Sequence, residues 1–175
     1  MTFDGRYLDV YYPGMRTGKG VEWAVHTLLN LAWLGDGEPV PTAQLAAGHD
    51  LSASYLNKQL QQLVKAGLLE SVPGARGGFR LARPLEAVSM LDVVLAVEGD
   101  DPLFRCAEIR RCGTIGERVP AGGFSRPCAV NTAMGRAELA WRKTLAAQSL
   151  ADVRAEAEAH APAVGSYVRG GFGRD

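Results

Sequence analysis

The sequence predicts a mainly α-helical fold with one small β-hairpin, and three observations carry that prediction. Between Leu51 and Leu81 the segment LSASYLNKQLQQLVKAGLLESVPGARGGFRL first keeps helical spacing, with Leu56, Leu60, Leu63 and Val64 on one stripe. It then breaks into two short runs, LLESV and FRLAR, separated by Pro73, Gly74, Gly77 and Gly78. Just upstream, PVPTAQLAAGHDLS reads as a short helix that Thr42 can cap, closed by the turn Gly48-His49-Asp50. Two helices meeting across a glycine turn are the signature of a helix-turn-helix. Finally, residues 132–147 form a long helical pattern in which Met134, Leu139, Trp141 and Leu145 stand among charged residues. The predicted class is therefore mainly α with a small β-wing: a winged helix-turn-helix DNA-binding domain plus a long C-terminal dimerisation helix.

In chain order, residues 1–17 show no period and read as a flexible N-terminal extension; Met15 would also serve as an initiator. The winged helix-turn-helix domain is expected over 18–100. It opens with an amphipathic helix, Val21 to Leu34, whose buried side carries Val21, Trp23, Ala24, Leu28, Leu31 and Ala32, and which Gly35-Asp36-Gly37 ends. Ser52 or Ser54 can cap the next long helix, because a serine oxygen accepts from the open amides of a first turn. Gly67 stops it, since glycine takes the left-handed conformation at little cost. Ser89 caps a further apolar helix that ends at Glu98-Gly99-Asp100. A loop over 101–131 holds every cysteine, and the dimerisation helix and its end occupy 132–154. SLADVRAEAEAHA can continue as helix, while the glycine-rich tail within 155–175 is expected to be disordered.

The polar face of the second long helix carries Tyr55, Asn57, Lys58, Gln61, Gln62 and Lys65, mostly uncharged donors and acceptors. Such groups can touch base edges and phosphates without a charge run. Ser52 and Ser54 stand at its start, and Arg76, Gly77, Gly78 and Arg80 form the hairpin tip and outgoing strand, where an arginine can reach a phosphate or a minor groove. Of these, Ser52, Ser54, Tyr55, Asn57, Lys58, Gln61, Arg76, Gly77, Gly78 and Arg80 are the expected contacts to a double-stranded DNA operator. Nineteen basic and nineteen acidic residues cancel, so attraction to nucleic acid must come from a local patch. No apolar run reaches the roughly eighteen residues of a membrane span. The N-terminus lacks the charged-then-apolar order of a signal peptide, so a cytoplasmic location without membrane contact is expected. Nucleophile elbow, phosphate loop and dehydrogenase fingerprint are all absent, which argues against an enzyme.

Cys106, Cys112 and Cys128 share one loop, spaced by five and then fifteen residues. That spacing does not match a zinc knuckle, which needs two close pairs. Thiolates suit iron–sulfur clusters or zinc, and Arg105, Arg110, Arg111 and Arg126 flank them and are expected to favour the thiolate form. Three thiolates make an incomplete set. On the first helix Glu22 and His26 lie four residues apart, hence on one face, and can bind one metal atom together. A surface contact is the alternative for that pair, and buried inert thiols or a thiol-only redox switch are the alternatives for the cysteines.

With GVEWAVH, SASYLNKQLQQLVKAGLLESVPGARGGFRLARP, VSMLDVVLAVEGD and a three-cysteine loop before a long helix, the chain resembles the bacterial winged-helix regulators that include the IscR and NsrR iron–sulfur repressors. Within that family it is most similar to the RsrR-type redox regulators, over about Gly20 to Val153. The resemblance implies a homodimer with crossed long helices, and a cluster whose ligands Glu22 and His26 come from the other subunit. The longer second cysteine gap departs from the commoner spacing of relatives and favours a [2Fe-2S] over a [4Fe-4S] cluster, with two cysteines joined by Glu22 and His26. Imidazole ligation would raise the reduction potential. Cys106 is the first choice for the cysteine pair, with Cys128 or Cys112 second, and Trp23, between the two helix-one ligands, is either a core anchor or part of a redox relay. The function expected is operator binding controlled by cluster redox state or occupancy. A cluster-free thiol regulator and a winged-helix protein-interaction module without DNA binding remain the alternatives.

Overall fold

The computed structural model describes residues 18–174. The N-terminal extension and its second candidate start lie outside those residues. Eight α-helices and one hairpin follow in the order α1 Lys19–Leu34, α2 Thr42–Ala47, α3 Ala53–Lys65, β1 Leu69–Val72, β2 Gly78–Leu81, α4 Met90–Glu98, α5 Gly113–Gly116, α6 Ala129–Ala146, α7 Leu150–His160 and α8 Val164–Gly171. Short 3-10 turns cover Leu85–Ala87 and Ile109–Arg111.

The leucine stripe of α3 is the middle of the core. Leu56, Leu60 and Leu63 are fully buried, together with Leu28 of α1, Leu45 of α2, Val93 of α4 and Leu150 of α7. Gly67 sits at φ +69 just past α3 and turns the chain straight into β1. The strands pair antiparallel with Glu70 opposite Arg80, and Val40 and Phe79 extend the sheet by one bridge.

Helix starts follow the sequence unevenly. Ser89 and Asp92 form a reciprocal capping box on α4, and Ser149 and Asp152 repeat it on α7. The two starts are joined, since the Met90 amide donates to the Gln148 carbonyl at 2.9 Å and the Leu150 amide to the Val88 carbonyl at 2.8 Å. Neither other expected cap forms. Ser52 holds the cap position of α3, but its hydroxyl meets that of Ser54 at 3.1 Å, and Thr42 lies inside α2 behind Pro41.

The expectation of a disordered tail is overturned. α8 lies on α1, and Phe172 is 8% exposed, its ring beside Gly48 in the turn between α2 and α3. Gln44 donates to the Phe172 carbonyl at 2.9 Å, Arg169 to the Trp33 carbonyl at 3.3 Å, and Arg174 holds the Asp36 carboxylate through 2.6 and 2.8 Å contacts. Glycine richness misled because one aromatic and two arginines tie this segment down, and a small Gly165 lets α8 approach the Trp33 ring. No helix of the described residues is long and apolar enough to cross a membrane.

Candidate functional site

Two regions hold the residues singled out by the sequence. The first is the outer face of α3 with the hairpin tip. Ser52, Ser54, Tyr55, Asn57, Lys58 and Gln61 are all exposed there, as is Arg76 at the tip. Gln62 and Arg80 differ from expectation. Gln62 is only half-exposed, and Arg80 donates to Glu70 across the hairpin at 2.8 Å, so much of its charge is answered within the chain. Gly77 and Gly78 are demanded by the backbone. A Cβ at Gly77 would stand 2.1 Å from the Val72 carbonyl oxygen, and one at Gly78 would stand 2.2 Å from that of Val40. Gln59 escaped the sequence reading. It is buried against Gly20, where an added Cβ would come within 3.1 Å of the Gln59 Oε1, so α1 and α3 pack closely at a glycine.

The second region is the cysteine segment, and here the structure discriminates among the three thiols. Donor atoms of Cys106, Glu108 and Cys128 all lie within 4.8 Å of one another, whereas Cys112 is exposed and leads into α5. Two arginines close the intervening insertion. Arg110 grips Glu108 at 2.8 Å, donates to the Arg126 carbonyl at 2.7 Å and stacks over the Phe124 ring at 4.7 Å. Arg111 donates to the Phe124 carbonyl at 2.7 Å. The residues between Cys112 and Cys128 thus form a folded lobe that returns the chain beside its starting point. Glu108, which spacing alone did not suggest, sits in the left-handed region at φ +50, uncommon for a residue with a side chain.

The long helix begins at Ala129, three residues before the expected Thr132, and this makes Cys128 its N-cap. The amides of Asn131 and Val130 therefore face the Cys128 sulfur and draw its pKa below the usual thiol value, with Cys106 and the Arg110 charge adding to the effect. Val130 and Met134, four apart, carried this earlier start in the sequence. Cys106 moves the other way. A bond to the Glu108 backbone lowers its pKa, but burial and the neighbouring Cys128 together outweigh that bond and raise it. The expectation that flanking arginines lower every thiol thus fails at Cys106: Arg110 is spent on Glu108, whose carboxyl it holds below the ordinary range, and Arg105 pairs with Asp101 at 2.6 Å.

Glu22 and His26 are exposed on one face of α1, and the group of donors around Cys106 does not include them. Trp23 is half-buried and meets Tyr55 of α3 edge to face, 5.0 Å between ring centroids. His49, in the turn after α2, is exposed, yet its Nε2 lies 2.7 Å from the Nδ2 of buried Asn30, and its ring lies 5.7 Å from that of His26. Burial first, and the His26 charge second, lower its pKa.

A family model described as "Rrf2: Iron-dependent Transcriptional regulator" matches residues 17–156. The Lactococcus lactis protein YffB is 35% identical over 144 residues, covering 82% of this chain and 90% of its own. The HTH-type transcriptional regulator IscR of Vibrio cholerae is 37% identical over 90 residues, 51% of each chain. The solved structure of CymR, the global cysteine regulator of B. subtilis, superposes with a TM-score of 0.62 at 20% identity, covering 81% of this chain and 98% of that one.

Proposed function

The chain belongs to the Rrf2 family of iron-dependent transcriptional regulators, and from that premise we propose that its operator affinity is set by an iron–sulfur cluster, [2Fe-2S] in type, shared between two subunits of a homodimer. Its named relatives are transcriptional regulators rather than enzymes. In this reading Cys106 and Cys128 of one subunit hold the cluster together with Glu22 and His26 of the other, and Cys112 takes no part.

One observation carries the reading: two of the three sulfurs converge and the third is turned to solvent. Two thiolates fill only half of the four protein positions that such a cluster needs. The donors are of the right chemistry, soft sulfur on one side and imidazole with carboxylate on the other. Glu22 and His26 lie on an exposed face of α1, outside the cysteine group of their own subunit, which is the position a donor to a second subunit requires. The cluster, when bound, supplies one-electron redox chemistry at a potential raised by the imidazole.

Coupling to DNA runs through the chain's own residues. Trp23 stands between the two helix-one donors and touches Tyr55 on the helix whose outer face carries Asn57, Lys58 and Gln61. A shift of α1 at residues 22–26 therefore reaches α3 by direct ring contact. Operator half-sites fix the spacing of two such helices at roughly 34–36 Å, so a small rotation changes affinity. Tyr55, Asn57, Lys58 and Gln61, with Arg76 at the tip, are the proposed contacts to double-stranded DNA.

The dimer is assigned to α6. Val130, Met134 and Leu139 are exposed there, and Val130 and Met134 extend the line of Trp141 and Leu145 along the helix. A second reading, a thiol switch without metal, is favoured by the same convergence, because Cys106 and Cys128 need only a modest approach to form a disulfide. Anaerobically purified protein decides between them. Visible absorbance that survives Cys112→Ser, and is lost in Cys106→Ser, Cys128→Ser and His26→Ala, supports the cluster. A colourless protein whose DNA binding responds to oxidant supports the switch. Loss of salt-dependent gel shifts under every condition would leave only a protein-interaction module.

A further inference from the structure

The geometry points to a mononuclear site within one subunit, in which Cys106, Glu108 and Cys128 bind a single divalent cation of the zinc class. The inference rests on the reading that Cys106 and Cys128 are the ligating pair, and it adds Glu108 and a second kind of occupant. The three donor atoms already lie within 4.8 Å of one another, and the Cys106 sulfur is 3.7 Å from Glu108 Oε1. Around a tetrahedral zinc ion with Zn–S near 2.3 Å, neighbouring sulfurs stand about 3.8 Å apart. Closing the set therefore needs movements of about 1 Å or less.

Glu108 is prepared for this role by its neighbours. Its Oε2 takes the Arg110 Nε at 2.8 Å and the Arg111 Nε at 3.5 Å, while Oε1, which faces the Cys106 sulfur, takes only a longer 3.3 Å contact from the Arg110 Nη2. A carboxylate has about four acceptor positions, so one oxygen can ligate while the other keeps its arginine. Arginine behind a ligating carboxylate is an outer-shell support that fixes its orientation. Two thiolates and a carboxylate carry three negative charges, which a divalent ion and the Arg110 guanidinium together balance. The left-handed backbone at Glu108 is what turns its side chain back over Cys106 instead of outward like that of Ile109, which is 78% exposed. A fourth position stays open to water. Binding displaces the thiol protons to solvent. An ion held here occupies the cysteines that the cluster needs, so the two occupants exclude each other.

The test is a Co2+ titration of the anaerobically reduced, metal-free full chain, with Zn2+ as competitor, beside iron–sulfide reconstitution of the same preparation. Wild type, Cys112→Ser and His26→Ala should each take one Co2+ per subunit, seen as thiolate-to-cobalt absorption. Glu108→Gln should weaken binding on the order of tenfold or more. X-ray absorption on the wild-type cobalt form should give two sulfurs and a lighter-atom shell, which keeps the test independent of how the variant folds. No thiolate–cobalt band in a protein that still accepts the cluster would overturn the site and leave the cluster reading intact. Three sulfurs, an unchanged Glu108→Gln, or loss of Co2+ in His26→Ala would also overturn it. Cobalt binding with two sulfurs in a protein that never accepts the cluster would uphold the site and count against the cluster alone.

Discussion

The indole of Trp23 meets the phenol ring of Tyr55 edge on, at 83° between planes. This ties the face of α1 that carries Glu22 and His26 to the first turn of α3. Such pairs contribute about 0.5–1.5 kcal/mol beyond their burial, enough to transmit a shift and too little to hold the fold. Trp23→Ala should therefore leave a folded protein whose visible spectrum is unchanged, while operator affinity loses most of its difference between oxidised and reduced forms. Fluorescence anisotropy with labelled operator in both redox states checks this. A full redox response in the variant would remove Trp23 from the relay and return it to the role of a core anchor.

On the DNA side, Lys58 and Arg76 are exposed, whereas Arg80 is held by Glu70. Replacing Lys58 or Arg76 by alanine should cost about 1–3 kcal/mol of operator binding where the contact is direct. Arg80→Ala should cost distinctly less, since an arginine already paired has less charge to offer a phosphate. Gel shifts at two salt concentrations separate these cases. Equal losses at all three positions would mean that the Glu70–Arg80 pair opens on DNA.

What the sequence disclosed and what it hid divide along physical lines. The helices of the core were legible because Leu28, Leu56, Leu60 and Leu63 fall at helical spacing and burial enforces it. The hairpin was legible because Gly77 and Gly78 answer a steric demand that other residues fail. Which of Cys112 and Cys128 lies beside Cys106 was hidden, since it depends on Arg110 and Arg111 folding a Gly-rich insertion over itself. Glu108 was hidden for the same reason: its nearness to Cys106 comes from one left-handed residue, which no periodicity announces. His49 reads as an ordinary turn residue in the sequence, and only the fold brings it to Asn30, nineteen positions upstream.

The C-terminal segment lies past the residues that the family model matches, yet it braces the helix-turn-helix. Phe172 is the anchor, buried between α8 and the turn after α2. Phe172→Ala should lower stability by roughly 3 kcal/mol, the lower end for a buried phenylalanine, read as a shift in the urea midpoint. Hydrogen exchange should rise first in α2 and at Gly48. A midpoint unchanged from wild type would mean that α8 lies on α1 without stabilising it.

The last expectation concerns where two subunits meet. Trp141 and Leu145 pack against the core of their own chain, so they are poor places to look for the interface, contrary to what the spacing along α6 alone suggested. Met134 is 41% and Val130 59% exposed on the N-terminal half of the same helix, and α6 has no buried residue. Helices that cross as a pair bury such positions against each other, and a charge placed there must lose its water. Met134→Glu should therefore yield a folded monomer in sedimentation equilibrium and, with the cross-subunit donors gone, a colourless one. Trp141→Glu should instead lower thermal stability, because it puts a charge against the core of its own subunit. If Met134→Glu remains a dimer of full strength while Trp141→Glu dissociates without loss of stability, the interface lies on the C-terminal half of α6 and the packing of Trp141 changes when two chains associate.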